Sequence, residues 1–217
     1  MILHDMTSEK EKQLAAEASA ELVEEGMTVG LGTGTTVAYL LPALAARGLG
    51  ISCVATSLRT EEQARALGLE VRQFNGIPRL DIAIDGADQI APDGWVVKGG
   101  GAAHTREKIV AASSDRFVVI ASSDKLVDAI RPPVPLELLP YGLEATLARL
   151  GEARLRDVPP SPDFGVIADF TGPFEDPEEL ACRLDGTPGV VEHGLFPPRM
   201  VSDVLVGRGE DVERLSF

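Results

Sequence analysis

Cysteine, histidine and positive charge are all scarce in this 217-residue chain, and each scarcity excludes a class of function. The two cysteines, Cys53 and Cys182, lie far apart without C-x-x-C spacing, and three histidines are too few to build a zinc set around them. They read as reduced thiols of a cytoplasmic protein. Lysine and arginine number 20 against 34 aspartates and glutamates, a formal charge of −14. That balance excludes a generic DNA- or RNA-binding surface, which neutralises phosphates with lysine and arginine. It leaves room for a small anionic substrate, since a site needs only local positive potential. No apolar run approaches the ~20 residues a membrane span requires, and Met1 to Lys12 holds no apolar core of a secretory signal. Internal repeats and low-complexity tracts are also missing. A cytosolic protein acting on small molecules, binding neither nucleic acid nor membrane, is the first expectation.

What is present is an ordinary globular composition, 44% hydrophobic and 25% charged, in a chain long enough for one large domain or one with a smaller companion. Apolar runs alternate with helical stretches through the first 130 residues. Leu14, Ala15, Ala18, Leu22 and Val23 recur at helical spacing within Glu9 to Glu25, with Gly26 as the cap. Short apolar strands follow at Met27 to Leu31, Ile51 to Ala55, Leu80 to Ile84, Trp95 to Val97 and Phe117 to Ala121. Helices are expected near Val37 to Arg47, Leu58 to Leu67 and Ala102 to Ala112. Strands alternating with helices predict an α/β domain with a parallel sheet. The composition then shifts: of 15 prolines, twelve lie between Pro132 and Pro198. Arg131-Pro132-Pro133 reads as a linker. Beyond it, strands at Val134 to Leu139, Gly165 to Phe170 and Val190 to Phe196, with helices at Leu143 to Leu150 and Pro177 to Leu184, predict a small α+β domain. Val204 to Val206 is a strand able to return to the first sheet. The domains are therefore expected at 1–130 plus 203–217, and at 131–202.

Three motifs have the makings of a site. Gly30-Leu31-Gly32-Thr33-Gly34-Thr35-Thr36 joins a strand to a helix, and its N–H groups and hydroxyls suit an anion. It fits neither the dinucleotide fingerprint, because Thr35 stands where the third glycine belongs, nor the P-loop, because no lysine follows. A phosphate cradle and a plain tight turn both remain open. Asp85-Gly86-Ala87-Asp88 directly follows a strand, where carboxylates face the ligand end of a parallel sheet. A capping turn is the alternative, and a divalent metal a third, weakened by the lack of a nearby histidine. Lys98-Gly99-Gly100-Gly101 precedes a helix carrying Glu107. Three glycines suit a chain that must hug a ligand, and a carboxylate with a lysine and two aspartates is equipment for moving a proton on and off carbon. A glycine linker before a solvated helix face is the alternative. Ala55-Thr56-Ser57 and Ser122-Ser123-Asp124-Lys125 also end strands, and Lys125 is placed to meet a phosphate as a point charge. His4 and His193 read as structural. His104 reads as an exposed helix histidine, with an influence on Glu107 as the alternative.

Taken together, GLGTGTT, ATSLRTEEQARALG, DIAIDGADQI, VVKGGGAAHTREKIV, PLELLP and VVEHGLF resemble the ribose-5-phosphate isomerase type A family over nearly the whole chain. The resemblance implies a cofactor-free and metal-free aldose–ketose isomerase that interconverts ribose 5-phosphate and ribulose 5-phosphate in the pentose phosphate pathway. It implies a Rossmann-like main domain with a smaller α+β domain, in a homo-oligomer, a dimer foremost. By position, Glu107 would be the base that moves a proton from C2 to C1 through a cis-enediol, and Lys98 would stabilise the enediolate oxygen. Asp85, Gly86, Ala87 and Asp88 would bind the sugar hydroxyls, with Asp85 assisting ring opening. Thr33, Gly34, Thr35 and Thr36 would line the phosphate loop, Gly99, Gly100 and Gly101 would hold the reacting end with Lys98, and Lys125 and Lys12 would bind substrate.

Three departures from the family pattern stand out. Gln89 replaces a common glutamate, His104 an aliphatic residue, and Ser161-Pro162-Asp163-Phe164-Gly165 a D-N-G-N turn. Two other readings compete. A sugar-phosphate sensor of the same fold would keep the phosphate loop but lose the base. A CoA transferase would use a glutamate as nucleophile. The pairing of DGAD with KGGG favours the isomerase.

Overall fold

The computed structural model describes residues 2–217, with side chains from Thr7 onward, so His4 lies outside the described side chains. Among the described residues no helix is long and apolar enough to cross a membrane. The chain forms two compact units, one of Met1–Ala87, Arg106–Leu126 and Arg199–Phe217, the other of Asp88–Thr105 and Val127–Pro198. The segment Asp88–Thr105 thus groups with residues beyond the proline pair, because its strands pair there rather than with the first sheet.

In the first unit, strands β1 (Thr28–Leu31), β2 (Ser52–Ala55), β3 (Glu70–Val71) and β4 (Ile82–Gly86) lie in one sheet. In the second, β5 (Gln89–Ile90) and β6 (Val96–Val97) follow in sequence. The first sheet is then joined by β7 (Phe117–Ser122). The second unit supplies β8 (Val134–Leu138), β9 (Ala153–Leu155), β10 (Val166–Phe170), β11 (Val190–His193) and β12 (Leu195–Phe196). The C-terminal β13 (Asp203–Arg208) and β14 (Asp211–Leu215) return to the first. The seven-stranded sheet has the order β14-β13-β7-β4-β1-β2-β3. Every pairing in it is parallel except the β13–β14 hairpin. The return of Val204–Val206 beside β7 is as expected, with Val204 opposite Val119.

Helices α1 (Ile2–Ala20), α2 (Thr35–Ala46) and α3 (Leu58–Ala66) precede α4 (His104–Ala112). Ala15 and Ala16 of α1 and Leu40, Leu41 and Leu44 of α2 pack with Val29, Leu31, Ile82, Ile84, Val118 and Ile120 in one core. Burying each large aliphatic side chain contributes roughly 1.5–3 kcal/mol. Because side chains alternate along a strand, Gly30 and Ala83 face the other side. There a Cβ on Gly30 would stand 2.5 Å from Val110 Cγ1, so the glycine makes room for α4. Helix α1 ends five residues before the expected Glu25. Arg47 Nη1 donates to the carbonyls of Ala20 and Val23, satisfying the terminal acceptors and letting the chain turn early.

Glu11, 5% exposed on α1, accepts from the Ser123 N–H at 2.9 Å, the Ser123 hydroxyl at 2.7 Å and the Gly209 N–H at 2.9 Å. Burial pushes its carboxyl upward, but the Gly209 and Ser123 donors together hold it below the ordinary glutamate value. A folded-state value below the unfolded one stabilises the fold above the unfolded value, and that stability is lost as pH falls through the folded value. Glu11→Gln should therefore lower unfolding free energy at neutral pH by about 1.5–3 kcal/mol, the worth of hydrogen bonds to a charged group. It should also flatten the acid limb in denaturant titrations run down through the carboxylate range. An unchanged acid limb would assign the acid sensitivity elsewhere.

The second unit holds a four-stranded antiparallel sheet, β11-β8-β10-β9, and a three-stranded one, β12-β6-β5. Helices α5 (Leu143–Leu150) and α6 (Pro177–Asp185) cover a core of Leu136, Leu138, Phe170, Leu150, Leu180 and Leu184. Helix α6 starts as its sequence dictates, with Asp176 accepting the Glu178 N–H at 2.8 Å and Pro177 in the first turn. The departures from the family pattern have local solutions here. Gln89 donates to the Arg131 carbonyl at 2.8 Å and accepts its N–H at 2.9 Å, a paired bond that a glutamate, lacking a donor, cannot complete. Ser161 builds its own turn: its hydroxyl accepts the N–H groups of Asp163 and Gly165 and donates to buried Glu137.

Candidate active site

The glycine-threonine turn and the first aspartate of DGAD are built against each other. A Cβ on Gly32 would lie 1.9 Å from the Asp85 carboxyl carbon, so the loop needs glycine there to admit that side chain. Asp85, 3% exposed, accepts the N–H groups of Thr33 at 3.1 Å and Gly86 at 2.7 Å. Thr33 and Thr56 share a hydroxyl contact of 2.8 Å, and Thr60 donates to the Gly32 carbonyl at 2.9 Å. The hydroxyls flagged at the end of β2 therefore brace the turn. Gly34, at φ 135, precedes α2, whose first turn carries no acidic residue and no side-chain cap. Its N–H groups face outward in the arrangement that receives an anion. Thr36 lies beside Gly86, where a Cβ would stand 4.0 Å from its hydroxyl.

Glu107 follows from the direction of α4. The Leu80 N–H donates to the Ser113 carbonyl just beyond the helix, which sets the helix end at the start of β4. The helix thus runs against the strands, and Val110 covers Gly30 at mid-sheet. One turn earlier, Glu107 comes level with the carboxyl ends of β1 and β4, on the face shared by Ala83 and Asp85. It is 4% exposed. Asp85, the Thr33–Thr36 loop and Glu107 are therefore gathered at one end of one sheet.

Two cations belong to the same unit, and each has an acid of its own. Lys125, in the turn Ser123–Lys125 after β7, lies 3.0 Å from Asp124, and Lys12 on α1 lies 2.6 Å from Glu9. Tyr39 also donates to Glu9 at 2.6 Å. Hydrogen bonding from Lys12 and then Tyr39 holds the Glu9 carboxyl below its usual range. Burial raises Asp124, but Ser122 and Lys125 outweigh it and the carboxyl ends low. Both acids are ionised at neutral pH, so each lysine already carries a counter-charge. Cys53 is no nucleophile: burial foremost, with Glu70 nearby, pushes its thiol up to about 12.

In the second unit, Lys98 is 2% exposed, with its ammonium 5.7 Å from the centre of the Phe196 ring. Its backbone N–H donates to the Gly194 carbonyl at 2.9 Å, anchoring the glycine turn to the link between β11 and β12, into which the expected strand Val190 to Phe196 divides. Gly99, at φ 109, adopts a conformation only glycine takes readily, and a Cβ there would meet His104 Nδ1 at 2.7 Å. The Gly100 N–H donates to Asp88 at 2.7 Å, so the second aspartate of DGAD and the glycine turn are held together. His104 is fully buried, a correction to the exposed helix histidine read from the sequence. As the first residue of α4 it points back over the glycine turn rather than out along the helix.

Sequence reasoning missed Arg156 and Glu137. Arg156 donates to the Gly99 carbonyl at 2.8 Å, and Glu137 accepts from Thr105 and Ser161. No local signal marks either, since an arginine in an exposed charged run and a lone glutamate in an apolar strand announce no partner. The buried position of Glu137 inside PLELLP was the one available clue. His193 is structural as read. Its Nδ1 accepts the Leu195 N–H at 3.2 Å, so the ring proton sits on Nε2, 3.1 Å from Asp185. Asp185, Glu192 and His193 place ligand atoms within 4.8 Å of one another, but this tautomer offers an ion no lone pair on Nε2.

Comparison with known proteins identifies the family. Residues 52–211 match the family model for ribose 5-phosphate isomerase A (phosphoriboisomerase A). The chain is 46% identical to ribose-5-phosphate isomerase A of Halobacterium salinarum, over 94% of this chain and 95% of that protein. The solved isomerase A of Methanocaldococcus jannaschii superposes with a TM-score of 0.89 at 31% identity, covering 95% of this chain and 98% of that one. A D-ribose-5-phosphate isomerase in complex with phospho-erythronic acid superposes with a TM-score of 0.91 at 32% identity, covering 97% and 99%. With the family model matched over residues 52–211 and relatives aligned over more than nine-tenths of its length, this chain belongs to the ribose 5-phosphate isomerase A family, the aldose–ketose isomerases that interconvert ribose 5-phosphate and ribulose 5-phosphate in the pentose phosphate pathway.

Proposed function

We propose that Glu107 is the base of this isomerisation and that the reaction proceeds through a cis-enediolate without metal or cofactor. The observation that carries this reading is a buried carboxylate on the first turn of α4, facing the same side of the sheet as Asp85. Asp85 assists opening of the sugar ring, and Asp85, Gly86, Ala87 and Asp88 hold the hydroxyls. In the open-chain aldose, Glu107 takes the C2 proton. The electron pair left on C2 forms the C1–C2 double bond, and negative charge moves to the C1 oxygen. Glu107 returns the proton to C1, while a hydroxyl proton passes from O2 to O1, leaving the ketone at C2. Lys98 and the N–H groups of Gly99 and Gly101 stabilise the charge on oxygen, which a base alone does not, while the Gly100 N–H stays on Asp88.

The phosphate sits on the N-terminus of α2, with Thr33, Gly34, Thr35 and Thr36 as donors and with Lys125 and Lys12 as point charges. Because each lysine already pairs with an acid, the phosphate exchanges with a carboxylate instead of adding to a bare cation. We further propose a cytoplasmic homo-oligomer, a dimer foremost. The test is ketose formation from ribose 5-phosphate by the purified protein in EDTA. Full turnover is expected. Activity lost in EDTA and restored by a divalent ion would overturn the metal-free step, and binding without turnover would make the protein a sensor.

A further inference from the structure

Arg156, just past β9 and 17% exposed at its side chain, spends its guanidinium in two directions. Nε and Nη2 donate to the two oxygens of Asp169 at 2.8 and 2.5 Å, a forked pairing that fixes the plane of the group. Nη1 then donates to the Gly99 carbonyl at 2.8 Å and reaches the Gly100 carbonyl at 3.3 Å. Three consecutive glycines have no side chains to hold their peptides in one orientation, so hydrogen bonds decide it: the Ala102 N–H donates to the Gly99 carbonyl at 3.1 Å within the turn, and Arg156 adds a template from outside. The template here is set by the β9–β10 pairing, in which Ala168 stands opposite Leu155.

The orientation has a chemical consequence. In a trans peptide the carbonyl and the following N–H point opposite ways. Drawing the carbonyls of Gly99 and Gly100 to Arg156 turns the N–H groups of Gly100 and Gly101 to the other side. The Gly100 N–H shows where that side faces, since it donates to Asp88 at 2.7 Å. We infer that Arg156, held by Asp169, is a positioning residue for the isomerisation: by fixing the Gly99 and Gly100 peptides it keeps the Gly100 N–H on Asp88 and aims the Gly101 N–H at the enediolate oxygen. The inference rests on the proposed role of Lys98 to Gly101 in holding the reacting end of the sugar.

The test uses the full chain with Arg156→Ala, Arg156→Lys and Asp169→Asn, each checked by circular dichroism and thermal melting. Losing the aimed donor should lower kcat for Arg156→Ala by roughly 10²-fold, the order seen for an oxyanion donor, with KM changed by less than about threefold. The constant for inhibition by phospho-erythronic acid, whose carboxylate oxygens mimic the enediolate, should weaken in step with kcat/KM. Added guanidinium ion should restore part of the Arg156→Ala turnover. Arg156→Lys should stay impaired, because an ammonium cannot fork, and Asp169→Asn should show a smaller loss of kcat. If Arg156→Ala does not fold, the decision falls to Arg156→Lys and Asp169→Asn. A folded variant with unchanged kcat would overturn the inference. So would losses that track only the folded fraction and ignore guanidinium. Glu107→Gln run alongside separates the layers. If it is inactive while Arg156→Ala is normal, only the positioning role fails, whereas normal turnover by both would remove the underlying site assignment.

Discussion

Glu107→Gln should leave the protein folded and able to bind ribose 5-phosphate while turnover falls by roughly 10²–10⁴-fold, the usual worth of a positioned general base. The substitution nearly preserves shape at a position that is 4% exposed, so packing on α4 survives. What disappears is an oxygen able to take and return a proton. KM should stay near the wild-type value, because the base contributes to the transition state far more than to the bound sugar. Exchange of the C2 hydrogen with deuterated water, followed by NMR, should fall with turnover, since both require the same proton abstraction. Near-normal turnover with near-normal exchange would remove Glu107 from the role of base.

Lys98→Ala should reduce kcat by roughly 10²–10³-fold and alter KM much less, the signature of an interaction that strengthens as charge develops. Lys98 is 2% exposed and its ammonium lies 5.7 Å from the centre of the Phe196 ring, so it acts where water screens it little. Truncation also empties space against that ring, and Lys98→Met serves as the control because it keeps the stem and removes only the charge. The two variants should share the loss of kcat if charge is the cause. A rise in KM alone, with kcat intact, would make Lys98 a simple anchor for the substrate.

The parts of the fold written in apolar runs were legible. Leu31, Ile84 and Ile120 sit in short unbroken apolar strands, and such strands belong in the middle of a parallel sheet covered on both faces. Edge strands were not legible. Asp211–Leu215 forms β14 with largely polar side chains, because a hairpin edge needs backbone pairing more than burial. Strand β9 is largely exposed and carries Arg154 with Arg156 just beyond, so no apolar run marks it. The site divides in the same way. DGAD and KGGG carry their chemistry in consecutive residues, and their placement at strand ends follows from local pattern. Arg156 and Glu11 act through partners 57 and 112 residues away, Gly99 and Ser123, so only the folded chain reveals them. His104 was misread because helical spacing was applied to a residue that is really the helix's first, where the preceding turn decides its surroundings.

The carboxylate of Glu11 has a consequence for how the protein is made. It holds the turn bearing Lys125 through Ser123, and it is itself completed by the Gly209 N–H in the C-terminal hairpin. A ribosome delivers Glu11 198 residues before Gly209. Strand β13 must also slide in beside β7, parallel to a neighbour 85 residues earlier in the chain, with Asp203 opposite Val118. A nascent chain that has not reached β13 therefore carries the Ser122–Lys125 segment with its support from Glu11 incomplete. The hydrogen bonds of Glu11 close only when β13 and β14 have joined the sheet.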